Sequence, residues 1–173
     1  MRHQFSFGQA QTTAEINTSL RFVVENSGDY NKRMHEEWAH KKAKPRALIG
    51  QAGIALIMYE QQVAATGIVY IHPDYTGLTA GIIEQKFVRT ADTFKDRGLA
   101  TLLMRTCVGI GAEMLNATPG APLTLELDTR EGTDAANFFR HAGFEEVGQA
   151  PLYEQERMDV LFRKFTHAPL SQL

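Results

Sequence analysis

The chain has 173 residues, of which 43% are hydrophobic and 22% charged, and its formal net charge is -2. This length and composition predict a single globular domain over residues 1–173 and exclude a strong overall attraction to nucleic acid or anionic lipid. No apolar run reaches the roughly 18 residues of a membrane span, the N-terminus has no signal-peptide core, and the lone Cys107 allows no internal disulfide. We therefore expect a cytoplasmic protein without a membrane partner.

The first part of the chain predicts a strand followed by two helices. A short strand near Gln4–Phe7 precedes Thr12 and Glu15, which have the spacing of a capping box at the start of a helix. A second helix is predicted from Tyr30 to about Lys44. We expect it to end there because the residue before Pro45 disfavours helical backbone angles.

The rest of the chain predicts a sheet interrupted by two helices. The predicted elements are strands at Ile54–Tyr59, Val63–Ile71 and Ala80–Thr90, a helix at Gly98–Leu115, a strand at Leu123–Leu127, a helix at Thr133–His141, and strands at Phe144–Val147 and Met158–Phe165. Polar residues 60–62 predict a hairpin between the first two of these strands. This mixed order implies an α/β or α+β fold with helices on both faces of one sheet.

A short basic segment lies between the third of these strands and the long helix. It consists of Lys95, Asp96, Arg97, Gly98, Leu99, Ala100 and Thr101. The first amides of a helix are unpaired and carry partial positive charge, so they favour phosphate, and Gly98 lets the backbone approach a ligand closely. An ordinary helix start is the alternative interpretation, but the flanking strand and helix favour an anion site.

The last predicted helix has a side made of small residues. Gly132, Ala135 and Ala136 share that side with Phe139, because residues three and four apart are neighbours on a helix. Such a surface can lie against a slender ligand. Alanines that act only as spacers between helix and sheet are the alternative.

These two segments together resemble the signatures of the GNAT N-acetyltransferase superfamily. Lys95, Gly98 and Ala100 resemble its CoA-pyrophosphate loop, Gln/Arg-x-x-Gly-x-Gly/Ala, with lysine at the first position. Residues 135–144 resemble its second signature, Ala-x-x-(Leu/Phe)-Tyr-x-x-x-Gly-Phe. The resemblance extends from about residue 54 to residue 165. It implies a mostly antiparallel central sheet of about six to seven strands, acetyl-CoA as co-substrate, no metal, and the homodimers common in the family.

The resemblance also implies which residues contact the cofactor. They are Val88, Arg89 and Thr90 on the strand before the loop, Lys95, Asp96, Arg97, Gly98, Leu99, Ala100 and Thr101 in the loop and first turn, and Ala135, Ala136 and Phe139 on the later helix. Phe139 stands where many members have a tyrosine that protonates the leaving thiolate. Another donor, such as Tyr153 or water, or an unassisted departure, must then replace it.

Two glutamates are candidates for the general base that a reacting amine requires. Glu84 lies eleven positions before Lys95, which resembles the strand glutamate of the histone-acetyltransferase branch of the superfamily. Glu126 is the second candidate, because other branches have a glutamate on that strand. A surface or salt-bridge role is the alternative for either residue.

The sequence therefore predicts an acetyl-CoA-dependent N-acetyltransferase in which a primary amine attacks the thioester directly in a ternary complex. The acceptor stays open between a peptide N-terminus, a lysine, a polyamine, an aminoglycoside and a small metabolite. One alternative is an acyl-CoA-binding module without catalysis, suggested by Phe139. The other is a protein that binds nucleic acid or a partner through the basic segment 30–46, although a solvated helical face explains that segment better.

Overall fold

The computed structural model describes residues 5–27, 29–71, 81–151 and 158–170. For residues 29–31, 34, 81–82, 84–87, 150–151 and 158 only the backbone is described. Gln4, Ala80 and Tyr153, named in the predictions above, lie outside the described residues.

Helices and strands follow the predicted order, except that a short third helix at Lys44–Leu48 was not predicted. They are β1 (Phe5–Gln9), α1 (Thr13–Glu25), α2 (Asp29–Trp38), a π-helical turn (Ala39–Ala43), α3 (Lys44–Leu48), β2 (Ala52–Tyr59), β3 (Gln62–Ile71), β4 (Gly81–Thr90), a 3-10 turn (Asp92–Phe94), α4 (Leu99–Met114), β5 (Pro122–Arg130), α5 (Asp134–His141), β6 (Glu145–Pro151) and β7 (Met158–His167). The described strands form a seven-stranded sheet in the order β1-β2-β3-β4-β5-β7-β6. Strands β4 and β5 are parallel and the other neighbours are antiparallel, so the predicted mixed, mostly antiparallel sheet is confirmed.

The predicted capping box begins α1. The Glu15 amide donates to Thr12 Oγ1 over 3.2 Å, and the Thr12 amide donates to Glu15 Oε2 over 2.9 Å. These bonds satisfy amides that a helix N-terminus otherwise leaves unpaired. Hydrogen bonds from the Thr12 backbone, then the Gln11 backbone and the Thr12 hydroxyl, lower the pKa of Glu15.

The expected end of the second helix before Pro45 was wrong. Lys44, the residue before the proline, has helical angles (φ -60°, ψ -51°), and its amide donates to the Ala39 carbonyl five residues earlier. A proline in a regular helix clashes with the carbonyl four residues back and lacks a donor. Here the π-helical turn shifts the hydrogen-bonding pattern by one residue. Pro45 then lies in the first turn of α3, where no donor is needed.

Helices cover both faces of the sheet, as predicted. Helices α4 and α5 pack on one face, where the fully buried residues include Ile83, Leu103, Cys107, Leu123, Ala136 and Phe162. Helices α1 to α3 cover part of the other face, over a core of residues that includes Ile16, Leu20, Ile54, Ile68 and Tyr70. In the described ranges, no helix has both the length and the apolar character needed to cross a bilayer.

A glycine lets α4 lie directly against the sheet. A Cβ at Gly111 would lie 2.5 to 2.9 Å from three side-chain atoms of the fully buried Ile83 on β4. Contacts this short do not occur between real side chains, so the close approach of α4 to β4 depends on the glycine. The packing fixes α4 next to the strand that carries Glu84.

Candidate active site

Helix α4 begins without a capping side chain, unlike α1 and α5. Thr12 caps α1 and Thr133 caps α5. The residue before α4 is Gly98, which has no side chain to accept a hydrogen bond from the helix amides. The first turn of α4 closes with the bond from the Leu102 amide to the Gly98 carbonyl. Within the described part of the chain, the amides of residues 99–101 have no acceptor. The first turn therefore offers backbone donors to a ligand.

The turn before α4 is shaped by two residues with left-handed backbone angles. Asp96 has φ 61° and Gly98 has φ 73°. A Cβ at Gly98 would meet nothing within 4 Å, so this glycine is required by its backbone angle and not by crowding. Residues 95–98 are all exposed, and open space lies beside the free amides.

Two cations stand at the same end of α4. Lys95 Nζ lies 2.6 Å from Asp92 Oδ1, and this hydrogen bond is the main cause that raises the pKa of Lys95. The Arg97 guanidinium lies 5.6 Å from the centroid of the Phe94 ring. Asp92 balances the charge of Lys95, but helix α4 has no acidic residue in its first turn to balance Arg97. Cations oppose a helix N-terminus unless an anion lies between them and the amides.

Helix α5 starts close to this turn. Asp134, its first residue, is near enough to contribute to the raised pKa of Lys95, after the effects of Asp92. Ala136 is fully buried and Ala135 is half-buried. The structure therefore brings the two predicted cofactor segments, 95–101 and 135–139, to the same side of the molecule.

Polar contacts at its C-terminal half hold α5 in position. Arg140 Nη2 donates to both carboxylate oxygens of Glu131 over 3.0 Å, and Arg140 Nε pairs with Glu146 on β6. Lys164 Nζ on β7 donates to the Ala142 carbonyl, just after the helix. Together these contacts fix the direction in which the small residues of α5 face.

Phe139 lies in an aromatic cluster. It is 6% exposed, and its ring centroid lies 5.3 Å from that of Phe138, 5.5 Å from that of Phe144 and 6.0 Å from that of Phe162. Such tilted and edge-to-face contacts are favourable packing. The side chain is therefore part of the core and supplies no proton to a leaving group.

Strands β4 and β5 pair for a short distance and then diverge. Their parallel register runs from Gly81 opposite Leu123 to Glu84 opposite Glu126. Beyond that point β4 continues beside β3, and β5 continues beside β7. The edge of β4 over residues 85–90 is therefore not hydrogen-bonded to β5, and we call this unpaired region between the two strands the opening.

A bulge in β4 lies at this opening. Arg89 pairs with Thr66 and Lys86 pairs with Ile68, so residues 87–88 of β4 together oppose the single residue Gly67. A bulge of this kind increases the local bend and twist of its strand. Val88, Arg89 and Thr90, three of the predicted cofactor contacts, are half-buried along this edge.

The backbone positions of the two candidate bases lie opposite each other where the strands diverge. Glu84 and Glu126 are register partners on β4 and β5, although the two residues lie far apart in the amino-acid sequence. The Glu126 carboxylate accepts bonds from Arg163 Nε over 2.8 Å and from Nη2 over 2.6 Å, and its side chain is 19% exposed. Protonation of Glu126 would neutralise its carboxylate and break this ion pair. Only the backbone position of Glu84 is described.

A histidine that the sequence analysis did not select also belongs to this region. His35 on α2 is 7% exposed, and its Nδ1 is hydrogen-bonded to Ser27 Oγ, which itself donates to the Val23 carbonyl. A hydroxyl has one proton, so His35 Nδ1 carries its own proton and donates to Ser27. Burial, and secondarily the charge of Arg89, lower the pKa of His35. The eight-residue spacing of Ser27 and His35 matches no motif, so the sequence held no local signal for this pair.

No protein-family profile and no curated protein sequence matches the chain. Solved structures do match it over nearly its whole length. A GNAT-family protein from Desulfovibrio desulfuricans has a TM-score of 0.68 at 16% identity, with 93% of this chain and 98% of that chain covered. A GNAT-family acetyltransferase from Staphylococcus aureus has a TM-score of 0.66 at 11% identity, covering 97% and 100%. The ribosomal-protein-S18-alanine N-acetyltransferase of Escherichia coli has a TM-score of 0.62 at 11% identity, covering 97% and 96%.

The chain therefore has the GNAT fold, and the resemblance predicted from its sequence is confirmed at the level of the fold. At these identities the likeness concerns architecture, and the chemistry has to be argued from the residues themselves.

Proposed function

We propose that the protein is an acetyl-CoA-dependent N-acetyltransferase that acts on a primary amine by direct attack in a ternary complex. The observation that carries the proposal is the uncapped start of α4 beside the opening between β4 and β5. An uncapped helix end that faces solvent binds anions, and a strand edge without a partner binds an extended chain. Acetyl-CoA has both features, a diphosphate and a long pantetheine arm.

The proposed cofactor position follows from these contacts. The diphosphate accepts hydrogen bonds from the amides of residues 99–101, with Lys95 and Arg97 supplying positive charge. The pantetheine arm runs between α5 at the half-buried Ala135 and the free edge of β4 at residues 88–90, while the fully buried Ala136 packs beneath in the core. The thioester then lies near the point where the two strands diverge.

The proposed reaction begins with an ammonium group near Glu84. Its proton passes to the Glu84 carboxylate, and the neutral nitrogen attacks the thioester carbonyl carbon. A C–N bond forms and the C–S bond breaks, so the products are an amide, CoA and one proton. Amides on the free edge of β4 stabilise the negative charge on the carbonyl oxygen during the attack.

Departure of the sulfur needs no acid from Phe139. An ordinary thiol has a pKa of about 8.5, which makes a thiolate a far better leaving group than an amine anion. The thiolate therefore leaves and takes a proton from solvent. Glu84 is preferred to Glu126 as the base because Arg163 already holds the Glu126 carboxylate.

Two measurements test the proposal together. Calorimetry should show saturable binding of acetyl-CoA, and a thiol-release assay over a broad panel of primary amines should show acceptor-dependent turnover. Lack of acetyl-CoA binding would rule the proposal out. Binding without thiol release from any amine would support the rival of an acyl-CoA-binding module, which the phenylalanine at position 139 favours.

The basic segment 30–46 gives little support to a polyanion-binding protein. Arg33, Glu37 and Lys41 are spaced four apart on an exposed face, with N–O distances of 3.9 and 3.5 Å. Arg46 lies 5.3 Å from the Tyr70 ring centroid. These contacts are those of a solvated helical surface. Salt-sensitive binding of DNA or heparin that survives Gly98→Glu would be required to revive this alternative.

A further inference from the structure

The side chain of Arg89 lies on the opposite face of β4 from the proposed cofactor. A Cβ at Gly67 would lie 3.6 Å from Val88 Cγ2 and 3.5 Å from Leu103 Cδ2, so Val88 points towards α4. Successive residues of a strand point to opposite faces. Arg89 lies just after the bulge and pairs with Thr66, which points away from the α4 side that its neighbour Gly67 faces. Arg89 therefore points to the face that carries α1 and α2, and its effect on the pKa of His35 agrees with this.

Among the described residues, Arg89 has no acidic partner, unlike Arg140 and Arg163. Arg140 is paired with Glu131 and Glu146, and Arg163 is paired with Glu126. Arg89 is half-buried, and its hydrogen bond among the described residues runs from Nη1 to the adjacent Val88 carbonyl over 3.1 Å. No carboxylate in the described ranges forms an ion pair with it, and burial lowers the pKa of the guanidinium. Removing a cation from water without a counter-charge is costly.

The positive charge of Arg89 affects His35 on α2. Burial, and then the charge of Arg89, lower the pKa of the ring and so favour its neutral form. Its bond to Ser27 fixes the ring at the junction of α1 and α2. The junction therefore lies near a cation that has no ion pair among the described residues.

We propose that the Arg89 side chain is a carboxylate subsite, and that the acceptor is a primary amine that also carries a carboxylate. The inference rests on the proposed acetyl transfer and names the class of its acceptor. Arg89 lies five residues beyond Glu84 along β4, at most about 16 Å in an extended strand. An acceptor bound between them has its ammonium near Glu84 and its acid at Arg89. The guanidinium can bind a carboxylate through two parallel hydrogen bonds.

Paired acceptors test the subsite through specificity. Each pair has one amine with a carboxylate and its carboxamide: glycine and glycinamide, β-alanine and β-alaninamide, glutamate α-amide and glutaminamide, ε-aminocaproate and its amide. In the wild type we expect kcat/KM to favour the carboxylate by about tenfold or more in at least one pair. Arg89→Gln should lower kcat/KM for that carboxylate by about tenfold or more, by the same factor as the wild-type preference, and bring the ratio within the pair close to one.

Two further variants separate recognition from a structural role. Arg89→Lys keeps the charge and loses the planar fork, so the preference should be partly retained. Arg33→Gln on α2 removes a charge that is 93% exposed, and the preference should be unchanged. Equal use of carboxylates and carboxamides by the wild type, or an equal loss for both in Arg89→Gln, would overturn the proposal.

A binding experiment decides the proposal even if no amine is turned over. Glutarate, a dicarboxylate without an amine, should produce a saturable shift of the His35 ring resonances in NMR spectra of the wild type and none in Arg89→Gln. If acetyl-CoA binds but no acceptor reacts, the acetyltransferase proposal fails while this titration still reports on the subsite. A wild-type spectrum unchanged by glutarate would then overturn the subsite.

Discussion

The two faces of the opening between β4 and β5 are built in different ways. In the proposed complex, binding on the face of α4 and α5 depends on backbone amides of residues 99–101 and on the half-buried Ala135. On the face of α1 and α2, the proposed acceptor site has charged side chains from separate elements, among them Glu126, Arg163 and Arg89. The first face suits a ligand common to many enzymes, and the second can vary with the acceptor without disturbing the first.

The largest expected effect is the loss of acetyl-CoA binding on the face of α4 and α5, which leaves the other face unchanged. Gly98→Glu should weaken acetyl-CoA binding by about a thousandfold, because it adds a negative charge where the diphosphate binds. Gly50→Glu is a matched control, since Gly50 also has φ 73° and open space around its Cβ position. Both variants carry the same backbone strain, so calorimetry should show normal affinity in the control. Similar losses in both would indicate that strain, and not charge, causes the effect.

The second prediction concerns the glutamates at the point of divergence. Glu84→Gln should lower kcat by about a hundredfold or more, as loss of a general base does. Glu126→Gln should lower it by less than about tenfold, because the wild-type carboxylate is held by Arg163. Steady-state kinetics over a range of pH values would check this. The opposite order of effects would transfer the role of base to Glu126.

A third, smaller effect tests how the cofactor face is supported. Gly111→Ala should lower the free energy of unfolding by about 1–3 kcal/mol, because its Cβ would overlap the buried Ile83. The gain in helix propensity, about 1 kcal/mol, offsets only part of this. Gly8→Ala, where nothing lies within 4 Å, should change stability by less than about 0.5 kcal/mol in urea titrations. A stable Gly111→Ala protein would show that α4 can move away from β4.

The smallest expected effect is at the single cysteine of the cofactor face. Cys107 is fully buried, and burial raises the pKa of its thiol to about 12. Since the thiolate is the reactive form, the folded protein should not react with Ellman's reagent at pH 8, and it should react after unfolding. Thiol-release assays should then have no background from the protein. Rapid labelling of the native protein would contradict the burial of this residue.

Features set by neighbouring residues could be predicted from the sequence. The capping box at Thr12, the hairpin before Gln62 and the strand–turn–helix arrangement around Gly98 all depend on short-range chemistry, and the structure contains each of them. The π-helical turn before Pro45 was missed, because the rule for proline assumes a regular helix. That Glu84 and Glu126 are register partners depends on strand order, which a periodic pattern does not specify.

The face of the sheet that carries α1 and α2, where we propose that the acceptor binds, was the least predictable part of the site. The sequence analysis selected Arg89 as a backbone contact for the cofactor. Its side chain became a candidate for binding the acceptor only when the structure showed which face of β4 it occupies. His35 became relevant because α2 carries it to Arg89, fifty-four residues away along the chain. Contacts of this kind come from tertiary packing, and no local residue spacing encodes them.

The central claim is that the turn at Gly98 and the free amides after it hold the diphosphate of acetyl-CoA. A crystal structure of the protein with CoA tests it most directly. We expect the diphosphate oxygens within hydrogen-bonding distance of the amides of residues 99–101, with the pantetheine arm in the opening between β4 and β5. A diphosphate bound elsewhere, with those amides left to solvent, would contradict the account.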